Sequence, residues 1–355
     1  MVMMYHFAPD FPPSGITTFI LRGYLWVDLF FVLSGFVMAY NYQAMFAGGY
    51  RLQAHLAFLI RRIARVYPLY AIVTLESAAT LLWRTHGPDK LHVPVVLAAN
   101  LAMVQAWGIA PSLAGATWSI STEWAAYLLF PLLAAAALFS SCRAALVTAL
   151  VAIASIAVLA VVPMDKLAFD FQGRGGPLDI YSSATPAPLV RCLAEFTLGL
   201  LTWRAANRLS QHQIAGAGFA AFTIAALLLL VVAMPGWDVL AVLLFPVLLL
   251  CLSPQQGLVG RMLGARVLYR LGEWSYAIYL IHGKFTVLND VLSKALADGL
   301  PFAQPIAAAL TSAAVIGCAA AVHACVELPC RRLLRFGFSP CSTSGKGIPE
   351  RSSKL

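Results

Sequence analysis

Two histidines, five carboxylates and a cluster of three arginines are the residues of this chain whose types and settings could do chemistry, since most stand within or beside long apolar runs. A charged side chain at the centre of an apolar helix costs about 2.5 to 3.5 kcal/mol on insertion scales, so it is kept for a partner or for a task. His6, in the stretch MMYHF, has an imidazole that can take a proton from a hydroxyl or act as a nucleophile near neutral pH. The same residue at a helix end can also do no more than bond a backbone carbonyl. His282, after SYAIYLI, is either a second histidine of a site or a buried one bonded to a tyrosine. Arg61, Arg62 and Arg65 stand at i, i+1 and i+4, which puts Arg61 and Arg65 on one helix face and Arg62 on its flank. Guanidinium groups so placed grip phosphates bidentately, and they also serve as the positively charged anchor of a membrane span.

The carboxylates each allow two readings. Asp28 lies in GYLWVDLFFVLSG, either as partner to an arginine or in a site. In the same run Ser34 and Gly35 permit close helix approach, and Ser34 reads as a packing residue because no GxSxG elbow surrounds it. Glu123 follows TWSIST, where Thr117 or Ser119 is placed to cap a helix, and is either a helix N-terminal charge or a site residue. Arg191 and Glu195, at i and i+4, most simply neutralise each other. Glu76 has no such local partner and is a site candidate on that ground. Glu327 stands before Pro329, Arg331 and Arg332, as a helix-ending ion pair or with a direct role.

What must position these residues follows from composition. With 61% apolar and 11% charged residues over 355 positions, there is too little polar surface to coat a soluble globule. A polytopic all-α bundle in a lipid bilayer is predicted, because in hydrocarbon the backbone must satisfy its own hydrogen bonds. About ten spans fit, through residue 8, then near 24–42, 66–83, 117–139, 144–163, 188–206, 213–234, 238–253, 271–292 and 305–328. The apolar stretch 93–107 is too short to cross and reads as a half-inserted helix. This arrangement puts 16 of the 24 lysines and arginines on one side, which predicts both termini in the cytoplasm and the loop 164–187, with Asp165, Asp170 and Asp179, outside. Residues 1–336 are expected to form one membrane domain with a truncated first helix, and 337–355 a disordered polar tail. Met1 opens within an apolar turn, so no removable signal peptide is expected. Seven cysteines without a CxxC pair argue against structural disulfides and against zinc or another metal. The net charge of +9 sits in short clusters between spans and requires no nucleic acid.

Six segments in order and spacing resemble the acyltransferase 3 family of membrane O-acyltransferases: MMYHF (3–7), GYLWVDLFFVLSGF (23–36), FLIRRIARVYPLY (58–70), TWSISTEWAAYLLFPLL (117–133), LGEWSYAIYLIHGKF (271–285) and VELPCRRLLR (326–335). The resemblance implies transfer of an acyl group, commonly acetyl, from cytoplasmic acyl-CoA to a hydroxyl of a glycan, lipid-linked glycan or similar acceptor, at a bacterial-type inner membrane. No permanently bound cofactor is implied. His6 matches the family's catalytic histidine, with Asp28, Glu123 and His282 as further catalytic candidates and Ser34, Glu76 and Glu327 as others; Arg61, Arg62 and Arg65 match its RRxxR segment and are assigned to acyl-CoA. The chain departs from the family where a second glutamate is Trp124, where an aromatic and a proline after the second histidine are Gly283 and Lys284, and where an arginine ten residues ahead of His6 would precede Met1. Competing readings are a transporter or flippase, using Glu76, Glu195 and His282 as a polar path, and an inactive scaffold for polysaccharide export. The lack of an internal repeat counts against the first.

Overall fold

Helices form throughout because each apolar segment satisfies its own N–H and C=O groups. The computed structural model describes residues 1–8, 11, 14–84, 92–162, 176–181, 185–209, 217–253, 257–297, 300 and 302–337, and among these there is helix and no strand. In chain order the helices are α1 (Val2–Phe7), α2 (Gly15–Leu21), α3 (Leu25–Phe46), α4 (Leu52–Arg84), α5 (Val93–Leu101), α6 (Thr117–Leu128), α7 (Phe130–Ala134), α8 (Cys142–Val161), α9 (Ala187–Ala206), α10 (Ala217–Ala233), α11 (Asp238–Leu252), α12 (Gly257–Leu263), α13 (Arg266–Ile281), α14 (Thr286–Ala297), α15 (Ala303–Val322) and α16 (Leu328–Gly337). Apart from Gly337, the predicted tail lies outside the described residues, as do Asp165 and Asp170.

Among the described residues three helical runs, Leu25–Phe46, Cys142–Val161 and Ala303–Arg332, are long and apolar enough to cross a bilayer, and α6 with Phe130–Phe139 makes a fourth if that pair, bent by 64°, is one span. The bend falls beside Pro131, which lacks a backbone donor and crowds the preceding turn. The span predicted over 117–139 is therefore broken. So is the one over 271–292, where α13 stops at Ile281, a 3₁₀ turn covers His282–Phe285 and α14 resumes at Thr286. In the stretch 93–107, α5 has only 9 residues, about 14 Å, before a tight turn at Gln105–Trp107. By contrast α4 runs for 33 residues, about 50 Å, so the arginine cluster and Glu76 ride on one rod.

The most extensive helix pair is α3 against α9. A methyl group at Gly35 would collide with the Phe196 carbonyl, and one at Gly199 with the Val32 carbonyl, so two glycines set the closeness of the backbones. An aromatic stack then ties α4 to this pair, with the Phe58 and Phe130 rings 4.8 Å apart and Phe46 packed edge-on to both. On the other side Tyr70 and Val73 of α4, Leu280 of α13 and Val315 of α15 form a separate core against which Phe7 of α1 closes.

Candidate active site

The break after α13 decides where the chemistry can lie. It leaves His282 at a helix end, 1% exposed, with its ring centroid 4.8 Å from that of His6 on α1. His282 Nδ1 is 2.6 Å from the Tyr279 carbonyl and His6 Nδ1 is 2.9 Å from the Val2 carbonyl. A carbonyl only accepts, so these partners assign the proton to Nδ1 in both rings. His282 Nε2 then bears a lone pair, and it faces His6 Nδ1 at 3.3 Å. His6 Nε2 is left as the basic atom of its ring. The bond to a carbonyl, one of the two sequence readings of His6, is present, and it is what fixes the basic nitrogen.

An apolar cavity of about 410 Å³ opens beside this pair. It follows α13 from His282 back past Tyr279, Tyr276 and Ser275 to Leu271, a distance of about 16 Å along the helix. Midway along it Tyr276 donates to the Val66 carbonyl at 2.6 Å, one residue beyond Arg65. The cavity therefore lies between His282 and a wall that α4 holds in place next to its arginine cluster. Trp26 also lines it, and its indole Nε1–H is buried with no acceptor among the described residues.

At the arginine end the three side chains part as their spacing predicts. Arg61 and Arg65 are exposed, whereas Arg62 turns inward, lies 4.7 Å over the Tyr127 ring and donates to its hydroxyl at 2.8 Å. Arg331 of α16 joins them, within electrostatic reach of Arg62 and Arg65. Arg62 Nε and Arg331 Nε are buried N–H groups without an acceptor among the described residues. From Tyr127 a short relay continues, its hydroxyl and that of Ser34 both donating to Glu123 Oε1. One turn before Glu123, Ser119 meets the Tyr279 hydroxyl at 2.7 Å, which links α6 to the wall of the cavity.

The other carboxylates have partners that local spacing does not reveal. Arg191 grips both oxygens of Asp28 at 2.7 and 2.6 Å, with Asp28 and Arg191 fully enclosed, while Glu195 stands 3.7 Å from Arg191 and its oxygens lack a hydrogen bond. The i, i+4 ion pair of Arg191 and Glu195 is thus present, but the closer, bidentate partner of Arg191 is Asp28. Glu76, expected to lack a partner, forms an ion pair with Lys284, 53% and 37% exposed respectively, and Lys284 also donates to Ser77 at 2.7 Å. Glu327 accepts from Arg331 at 2.8 Å and faces His323 Nδ1 at 3.0 Å. Nor does Thr117 cap α6: its hydroxyl donates to the Ala114 carbonyl at 2.6 Å, and the N-cap position is Ala116. Tyr127, Tyr276 and Trp26 escaped sequence reasoning, because aromatic residues in apolar runs carry no local mark of a polar task.

Among the described residues, helices long and apolar enough to cross a bilayer, a histidine pair and an apolar cavity beside it fit a membrane enzyme of group transfer. The acyltransferase domain of the acyltransferase 3 family matches residues 1–324, and the chain belongs to that family. It is 29% identical over 339 residues to Acyltransferase MdmB of Streptomyces mycarofaciens, covering 88% of this chain and 82% of that protein. No solved structure matches the chain. Its chemistry is acyl transfer.

Proposed function

We propose that the protein is a multi-pass O-acyltransferase of a bacterial-type inner membrane, with both termini cytoplasmic, that moves an acetyl or similar acyl group from acyl-CoA to a hydroxyl of a glycan or related acceptor. The observation that carries this reading is the apolar cavity along α13, which His282 lines with His6 next to it, and whose wall residue Tyr276 is bonded to α4 at Val66, one residue beyond Arg65. Coenzyme A carries phosphates at one end and a thioester at the other, separated by a chain that is long and thin. Arg61, Arg62, Arg65 and Arg331 would bind the phosphates, and the unpartnered N–H groups of Arg62 and Arg331 favour an anion there. The pantetheine arm and acyl group would lie along α13, with the Trp26 N–H available to the thioester carbonyl oxygen.

In the transfer step His6 Nε2 takes the proton of the acceptor hydroxyl while its oxygen attacks the thioester carbon. The C–S bond breaks, and the CoA thiolate takes the proton back from His6. As His6 becomes an imidazolium, its Nδ1–H donates to His282 Nε2, which holds the ring in place. Asp28 and Glu123 act at a remove, by fixing α3 against α9 and α6 against α4. The reading is tested with purified protein in lipid nanodiscs given acetyl-CoA, with CoA release followed by a thiol reagent. Release that depends on His6 supports it; absence of release from the wild type overturns it.

A further inference from the structure

A separate cavity of about 540 Å³ adjoins α1 at its other end, against Phe7 and Phe11. The cavity assigned above to the donor touches α1 at Val2 and Met3, so His6 stands between the two. Asn289 of α14 lines this second space and is 6% exposed. Its Nδ2 donates to the Phe7 carbonyl at 3.2 Å, which fixes the orientation of the amide because a carbonyl only accepts. Asn289 Oδ1 is then a buried acceptor, and it finds no donor among the described residues. Such an atom is costly to leave unpaired and calls for a donor from a ligand. The exposed pair Asp290 and Lys294 adds an acceptor and a donor to the cavity lining, while Phe11 and Phe302 supply aromatic surface. Hydroxyl donors matched to buried and rim acceptors, with apolar ring faces against aromatic side chains, describe a sugar or comparable polyol.

We propose that this cavity is the acceptor subsite, where Asn289 Oδ1 accepts a hydrogen bond from one hydroxyl of the acceptor and so positions a neighbouring hydroxyl toward His6. The proposal rests on the acyl-CoA reading above. Through its bond to Phe7 the same side chain also couples an occupied cavity to the helix that carries His6.

The test uses the full chain in lipid nanodiscs, acetyl-CoA, and octyl β-D-glucoside as the hydroxyl-bearing probe, with acetylated glucoside measured by mass spectrometry and CoA by a thiol reagent. Asn289→Ala is expected to raise the KM for the glucoside about tenfold, the loss of one buried hydrogen bond, while the KM for acetyl-CoA moves less than about twofold. Ser293→Trp, one turn along the same face of α14, leaves the Asn289–Phe7 bond intact and is expected to raise the glucoside KM at least as far by filling the space. An unchanged glucoside KM in Ser293→Trp, or a fall in kcat alone in Asn289→Ala, overturns the proposal and leaves Asn289 as a support for α1. A wild type that releases CoA to water but leaves the glucoside unacetylated overturns it too, with the donor reading intact. No CoA release at all removes the donor reading and this proposal together.

Discussion

The single imidazole of His6 has a role that chemistry can isolate. It sits on a helix of 6 residues and contributes little to a bundle of this size, so His6→Ala is expected to leave expression and melting temperature unchanged. Loss of a general base costs about 10² to 10⁴ in rate. Initial rates of acyl transfer, with CoA binding measured alongside, check both halves of this expectation. Donor binding makes a different prediction: Arg61→Ala and Arg65→Ala should each weaken CoA binding about tenfold to a hundredfold, with lysine restoring only part because it lacks the planar fork. Titration calorimetry that finds equal affinity in the double alanine variant would reduce the cluster to a topological anchor.

Between elements, the α3–α9 seam is where the fold is most exposed to mutation. Asp28 and Arg191 are buried as a bidentate pair, and removing either leaves the other buried without its bidentate partner. Asp28→Ala is expected to destabilise by about 3 to 5 kcal/mol, read as a fall in melting temperature and in yield. The double change Asp28→Leu with Arg191→Met should cost less than the sum of the two single changes, since both members of the pair leave together and only Glu195 remains charged there. If the two single losses simply add in the double variant, the pair is not coupled and the geometry of this seam is misread. At Gly35 or Gly199 a valine should separate the helices for want of room, whatever its helix propensity.

At the scale of the whole molecule, the two cavities meet α1 from opposite ends, which suits a reaction whose donor and acceptor arrive from different sides of a membrane. The charge bias predicts that residues 51–65 face the cytoplasm and the α10–α11 connection faces outward. Single cysteines at Gln53 and Pro235, in a protein lacking its native cysteines, should then differ in intact cells: an impermeant thiol reagent labels position 235 and spares position 53. Equal labelling would reject the topology. The donor mechanism would have to be redrawn with it, because acyl-CoA is cytoplasmic.

Composition and apolar run length alone determine that this chain is helical and lives in a bilayer, since both depend on summed transfer free energies that need no knowledge of which helix meets which. Motif order was enough to mark His6, His282, Arg62 and Glu123 as polar residues with a reason to be there. Only the tertiary structure decided their partners. Asp28 and Arg191 lie 163 residues apart, and the histidines 276, and no local spacing rule reaches that far. The breaks at Leu129 and His282 were likewise illegible as mere apolar continuity, because a helix end depends on what packs around it as well as on its own residues. Asn289 shows the limit most plainly: one asparagine in an apolar helix becomes informative only once folding buries its amide, pairs one end with Phe7 and leaves the other facing a cavity.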